Sequence, residues 1–138
     1  MAELARGASE KQFVSSNVAT LTQRMPTWAW DSHMHVTSPG YPLAADATYK
    51  PSLHSVDHAM EFESSIGVSR IVLVQASIYG TDNSCLLEAL RIVGPRHGRG
   101  AVGIDPETIK LPILKSWHDL GDRGVRLNLK ANNTSFTE

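Results

Sequence analysis

The stretch Arg70–Ala76, RIVLVQA, decides the fold. It is a nearly unbroken run of β-branched and apolar residues, bounded by Gly67 on one side and by the polar segment Ser77–Asn83 (SIYGTDN) on the other. A strand with one wet face alternates apolar and polar residues, whereas a continuous run suits a strand buried on both faces of a parallel sheet. Parallel strands cannot be joined by tight hairpins, so helical crossovers are expected on either side.

Both flanks supply them. Upstream, Ser55 can cap a helix running to about Ile66, with Gly67 as its stop and Ala59, Met60, Phe62 and Ile66 as its apolar face. Downstream, Asp82 or Asn83 can cap a second helix, in which Leu86, Leu87, Leu90 and Val93 form one stripe and Gly94 ends it. Further along, Ala101–Asp105 (AVGID) predicts a strand. A third helix follows with Pro112 in its first turn, Ile113, Leu114, Trp117 and Leu120 on one face, and Gly121 as its stop. Gly124–Leu129 (GVRLNL) predicts the last strand. Ahead of all this, Trp28–His35 (WAWDSHMH) reads as the first strand, and Val36–Lys50, with Pro39, Gly40 and Pro42, as a long loop. The order is β–loop–α repeated, closing on a fourth strand without its helix. Regular alternation of this kind implies an α/β fold with about four parallel strands and crossover helices. Residues 1–26 are expected to be a flexible N-terminal extension, and 27–138 the folded unit.

Composition excludes several functions. The 138 residues carry 13 basic and 14 acidic side chains for a net charge of −1, so neither nucleic acid nor an anionic membrane surface is an expected partner. No run approaches the ~18 apolar residues of a membrane span. The N-terminus has no apolar core of a secretory signal, and its two glutamates argue against a transit peptide. The single cysteine, Cys85, rules out an internal disulfide and reads as a small core or boundary residue, so a reducing, cytoplasmic location is expected. The scattered Gly94, Gly98, Gly100 and Gly103 do not form a phosphate loop.

Polar residues gather at the C-terminal strand ends. Alternation places Asp31, His33 and His35 on one face of the first strand, and adds Gln75 and Ser77, Asp105, and Arg126 with Asn128 from the other three. Burying these groups in a plain core would cost several kcal/mol unless all were paired, so a site is expected at this end of the sheet. A buried Asp105–Arg126 ion pair is the structural alternative. The sharpest motif is His33-x-His35, whose imidazoles project side by side and can grip one divalent, zinc-like ion. Two histidines do not complete such a site, and a structural role for both is the alternative. His54, His58, His97 and His118 read as solvated surface residues.

The segments WDSHMHV, YPLAADATYKPS, GVSRIVLVQASIYGTDNSCLLEAL, AVGIDPE and GDRGVRLNL together resemble the amidohydrolase-related metal-dependent hydrolases, closest to the 2-pyrone-4,6-dicarboxylate lactonase type. The resemblance runs from about Trp28 to Leu129. It implies a (β/α)₈ (TIM) barrel, here its N-terminal half, since a complete barrel takes about 250 residues. It implies hydrolysis of a small carboxylated lactone or ester at a C–O bond, with His33 and His35 as catalytic residues. The pair would bind a divalent metal as in most of the superfamily, or work without one as in the lactonase-like members. It further implies substrate contacts at Tyr49, Ser77 and Arg126, with Tyr79 and Thr81 in the same pocket. The family's later strands supply further histidines and an aspartate that activates water or stabilises the leaving group, so a truncated chain of low activity alone is expected. The rival readings are a non-catalytic half-barrel interaction module and a decarboxylase of the same superfamily. The only partner expected is a small carboxylate, apart from self-association through open sheet edges.

Overall fold

The computed structural model describes residues 25–127. Within them run β1 (Trp30–Met34), α1 (Val56–Ser65), β2 (Arg70–Val74), a 3₁₀ turn (Ser77–Tyr79), α2 (Ser84–Val93), β3 (Gly98–Gly103), α3 (Leu111–Leu120) and β4 (Asp122–Arg126). The four strands form one parallel sheet in the order β1-β2-β3-β4. All but two residues of the expected N-terminal extension, and Asn128 and Leu129 of the expected last strand, lie outside the described residues. Among the described residues, no helix is long and apolar enough to cross a membrane.

The core lies between the sheet and its helices. Ile71 and Leu73 from β2 and Val102 from β3 meet Leu86, Leu90 and Val93 of α2, and all six are buried. Full burial of such a side chain contributes about 1.5–3 kcal/mol, which makes the β2–α2–β3 unit the centre of stability. Cys85 is buried there too. Ser55 caps α1 by accepting the His58 N–H at 3.3 Å. The helices stop at glycines, with Gly67, Gly94 and Gly121 at φ 81°, 79° and 113°.

Several elements depart from the sequence expectation. β3 starts at Gly98, not Ala101, and ends at Gly103. A Cβ at Gly98 would lie 3.0 Å from Val93 Cγ1, and one at Gly100 would lie 2.7 Å from Leu90 Cδ1. These glycines are strand residues that let α2 approach the sheet, not breakers ahead of it. Likewise β4 begins at Asp122. Asn83 stands at the N-cap of α2 without capping it, and the Asp82 carboxylate accepts the Ser84 N–H instead, at 3.0 Å. In α1 the stripe is rotated. Met60 and Phe62 are exposed, while Ala59 and Glu63 are the buried residues.

The opposite face of the sheet and both of its edges are uncovered among the described residues. Trp30 is exposed on that face, Val125 and Leu127 are exposed on the helix side of the β4 edge, and α3 buries none of its residues, leaving Leu111 and Ile113 in the open.

Candidate active site on the open face

The site starts with an irregularity in β1. Asp31 pairs with Ile71 and Met34 with Leu73, so three steps along β1 match two along β2. One extra residue resets the alternation of side chains. Asp31 therefore goes with Ile71 toward α1, and the expectation that it shares a face with His33 and His35 is corrected. His33 and His35 do come together, with Nε2 atoms 3.3 Å apart and rings edge-to-face at 4.8 Å between centroids.

Arg126 reaches this pair from the far edge. Its Nη1 lies 3.5 Å from His35 Nε2 and donates to the Gln75 carbonyl at 2.7 Å. Strands three positions apart in a flat sheet stand about 14 Å from each other. The β1 imidazole and the β4 guanidinium span that width by reaching over β2 and β3 on the face away from the helices, the face that a barrel wall turns inward as its concave side.

The hydrogen bonds assign the protons. His35 Nδ1 lies 2.8 Å from the Val74 carbonyl, which can only accept, so Nδ1 carries the hydrogen. Burial lowers the His35 pKa from its ordinary value, and the charges of Arg126 and His33 push the same way against the Val74 hydrogen bond. Neutral His35 thus turns a lone pair at Nε2 toward two donors, the His33 Nε2–H and the Arg126 guanidinium.

The other expected contributors scatter. Ser77 is half-buried at the start of the 3₁₀ turn, Thr81 is exposed, and Tyr49 is 53% exposed on the long loop. Tyr79 is buried, and its hydroxyl accepts the Ser38 N–H at 3.0 Å and donates to the Ser38 carbonyl at 3.2 Å. Its ring lines a cavity of about 410 Å³ beneath the loop, together with Ser38, Tyr41, Leu43, Lys50 and Leu53. Gln75 turns its side chain away, donating to the Gly80 and Asp82 carbonyls at 3.2 and 2.7 Å. Asp105 does not pair with Arg126. It is exposed beyond β3, accepting the Glu107 N–H at 3.0 Å and the Thr108 hydroxyl at 2.9 Å. Asn83, expected only as a helix cap, instead clasps the N–H and carbonyl of Gly103, both at 2.8 Å, and so ties the loop after β2 to the end of β3. Glu63 was missed in the sequence, although the spacing Ala59, Glu63, Ile66 marks one helical face.

The amidohydrolase model matches residues 30–136, which takes in all four strands and the His33–His35–Arg126 cluster. The chain belongs to the amidohydrolase family. It is 33% identical over 116 residues to a 2-pyrone-4,6-dicarboxylate hydrolase of Comamonas testosteroni, covering 83% of this chain and 37% of that protein. It is 35% identical over 106 residues to a 4-sulfomuconolactone hydrolase of Hydrogenophaga intermedia, covering 74% of this chain and 34% of that one. Among solved structures, an Acinetobacter baumannii protein described as a probable 2-pyrone-4,6-dicarboxylic acid hydrolase, with citric acid bound, superposes with a TM-score of 0.70 at 27% identity. That match covers 79% of this chain and 40% of the Acinetobacter chain. The amidohydrolase fold here is thus a partial (β/α)₈ barrel, and the chain spans little more than a third of the length of these curated relatives.

Many amidohydrolases use a divalent metal. The described residues include no group of three or more His, Cys, Asp or Glu side chains placed to hold one. The two imidazoles that could begin such a group have a guanidinium 3.5 Å from one donor nitrogen. A cation in that place opposes a dication, so this set of side chains does not by itself fit a metal ion.

Proposed function

We propose that this chain carries the carboxylate-recognising side of the active site of a hydrolase that opens a small carboxylated lactone or ester. The observation that carries this reading is Arg126, brought across the concave face to His35 Nε2. A guanidinium at the mouth of a barrel grips a carboxylate with two parallel hydrogen bonds. The printed names of the relatives, hydrolases of a pyrone dicarboxylate and of a sulfomuconolactone, point to the same chemical class.

In the reaction, water adds to the lactone carbonyl carbon, the ring C–O bond breaks, and the leaving oxygen takes up a proton. In that step the His33 Nε2–H would exchange its bond to His35 Nε2 for one to the carbonyl oxygen, polarising it, with neutral His35 as the resting acceptor of that hydrogen. Arg126, with Ser77 and Tyr49, would hold the substrate carboxylates so that attack is nearly intramolecular. Tyr79 would contribute its ring, its hydroxyl being engaged at Ser38, and Thr81 would stand at the rim. The resemblance assigns water activation or stabilisation of the leaving group to an aspartate of a later strand. The metal-free mode is favoured, with guanidinium and imidazole supplying the electrophilic assistance. The single, buried Cys85 suits a reducing cytoplasm. The exposed Val125 and Leu127 beside the β4 edge favour self-association as a second property of this chain, which light scattering would read as a defined dimer.

Calorimetric titration with 2-pyrone-4,6-dicarboxylate, with and without zinc, tests the proposal. Hydrogen bonds to charged groups are worth about 1.5–3 kcal/mol, so Arg126→Ala should weaken binding by roughly tenfold or more, and zinc should change nothing. Equal affinity in Arg126→Ala, or binding only with zinc, would overturn it.

A further inference from the structure

We propose that Asp31 is a positioning residue, which sets the His33–His35 pair by holding the β1 bulge closed. This rests on the reading of those histidines as the reacting groups. Regular alternation would put His33 on the face that Asp31 occupies. The extra residue between the Asp31–Ile71 and Met34–Leu73 pairings moves His33 to the concave face instead. No glycine or proline stands at this bulge to impose it, since the residues are Asp31, Ser32, His33 and Met34.

What closes it is a side chain. Asp31 Oδ1 accepts the His33 backbone N–H at 2.7 Å. Such a short Asx-type turn gives the bulged backbone a local partner in place of a ladder bond. A one-residue slip would return the His33 ring to the helix-covered face and break its 3.3 Å approach to His35. Asp31 itself points toward α1, where the buried Glu63 is its neighbour. It is therefore kept from the substrate and acts only through the His33 backbone.

The substitutions separate this role from mere stability. Asp31→Asn keeps the oxygen acceptor at the same reach, Asp31→Ala removes it, and Asp31→Gln moves it by one methylene. Nuclear Overhauser contacts between the His33 and His35 rings, 4.8 Å apart at their centroids, report the geometry without ligand or turnover. The contact should persist in the parent chain and in Asp31→Asn. It should vanish in Asp31→Ala and Asp31→Gln, while the far-ultraviolet circular dichroism of a folded chain remains. Should Asp31→Ala fail to fold, Asp31→Gln and Asp31→Asn decide between them. Persistence of the ring contact in a folded Asp31→Ala or Asp31→Gln chain, or its loss in Asp31→Asn, would overturn the proposal. Because no lactone is present in the measurement, a failure of the lactone reading leaves the result intact, and the reverse holds too.

Discussion

Replacing Glu63 with glutamine should flatten the dependence of this chain's stability on pH. Glu63 is 2% exposed, and neither of its carboxyl oxygens has a hydrogen-bond partner among the described residues. Burial, and after it the neighbouring Asp31 carboxyl, push its pKa from 4.5 up to about 7. At intermediate pH the folded chain holds a proton that the unfolded chain has already released. Stability from this group is therefore fully present below pH 4.5 and is lost as pH rises toward and through 7. Each pKa unit corresponds to about 1.4 kcal/mol, so the loss amounts to about 3 kcal/mol, a large part of the stability of a small domain. Burial of the Asp122 carboxyl raises its pKa as well and adds a slope of the same sign. The quantity to measure is therefore the difference between the parent chain and Glu63→Gln in urea unfolding free energy, at pH values from 5 to 8. The difference should grow in favour of Glu63→Gln with rising pH. Parallel pH profiles would refute the assignment of a buried, proton-holding carboxyl at this position.

Three further outcomes are expected. Leu73→Ala empties a site that is 0% exposed at the centre of the β2–α2 contact, and should cost about 2–5 kcal/mol in chemical denaturation; a cost below 1 kcal/mol, the range of surface changes, would contradict the core described. Gly100→Ala drives a methyl to 2.7 Å from Leu90 Cδ1 and 3.0 Å from Asp122 Oδ1, and should cost about 1–3 kcal/mol in thermal melting, whereas an unchanged midpoint would contradict the close seating of α2. The His35 imidazole should titrate below its ordinary value of 6.5 in nitrogen-15 NMR; a midpoint at or above it would contradict the burial beside Arg126.

The fold was legible because its strongest signals are redundant. RIVLVQA is too continuously apolar for a half-wet strand, and Leu86, Leu90 and Val93 keep helical spacing between two such strands, so local pattern and global architecture agree. Boundaries failed where a residue answers to tertiary contact instead of local preference. Gly98 and Gly100 look like a break in the chain but belong to β3, because only the approach of α2 explains them. Met60 and Phe62 look like a buried face but are exposed, and the buried carboxyl of Glu63 took the place that periodicity alone could assign.

The site was half legible. His33 and His35 were visible as a motif and Arg126 as a polar residue near a strand end, and the three converge. Asp31, Gln75 and Asp105 were drawn into the same face by strict alternation. A bulge at β1, a side chain turned back to the Gly80 and Asp82 carbonyls, and a strand ending at Gly103 remove them. None of these irregularities has a composition signature. Each arises from hydrogen bonds that exist only once the chain is folded.

The central claim is that two imidazoles from one sheet edge and a guanidinium from the other look into one hollow that receives a carboxylated ring. Side-chain nitrogen-15 spectra of the chain, recorded while 2-pyrone-4,6-dicarboxylate is added, test it most directly. Saturable shifts at His33, His35 and Arg126 together, with no zinc present, are the predicted result. Shifts confined to other residues, or none at all in a folded chain, would contradict it.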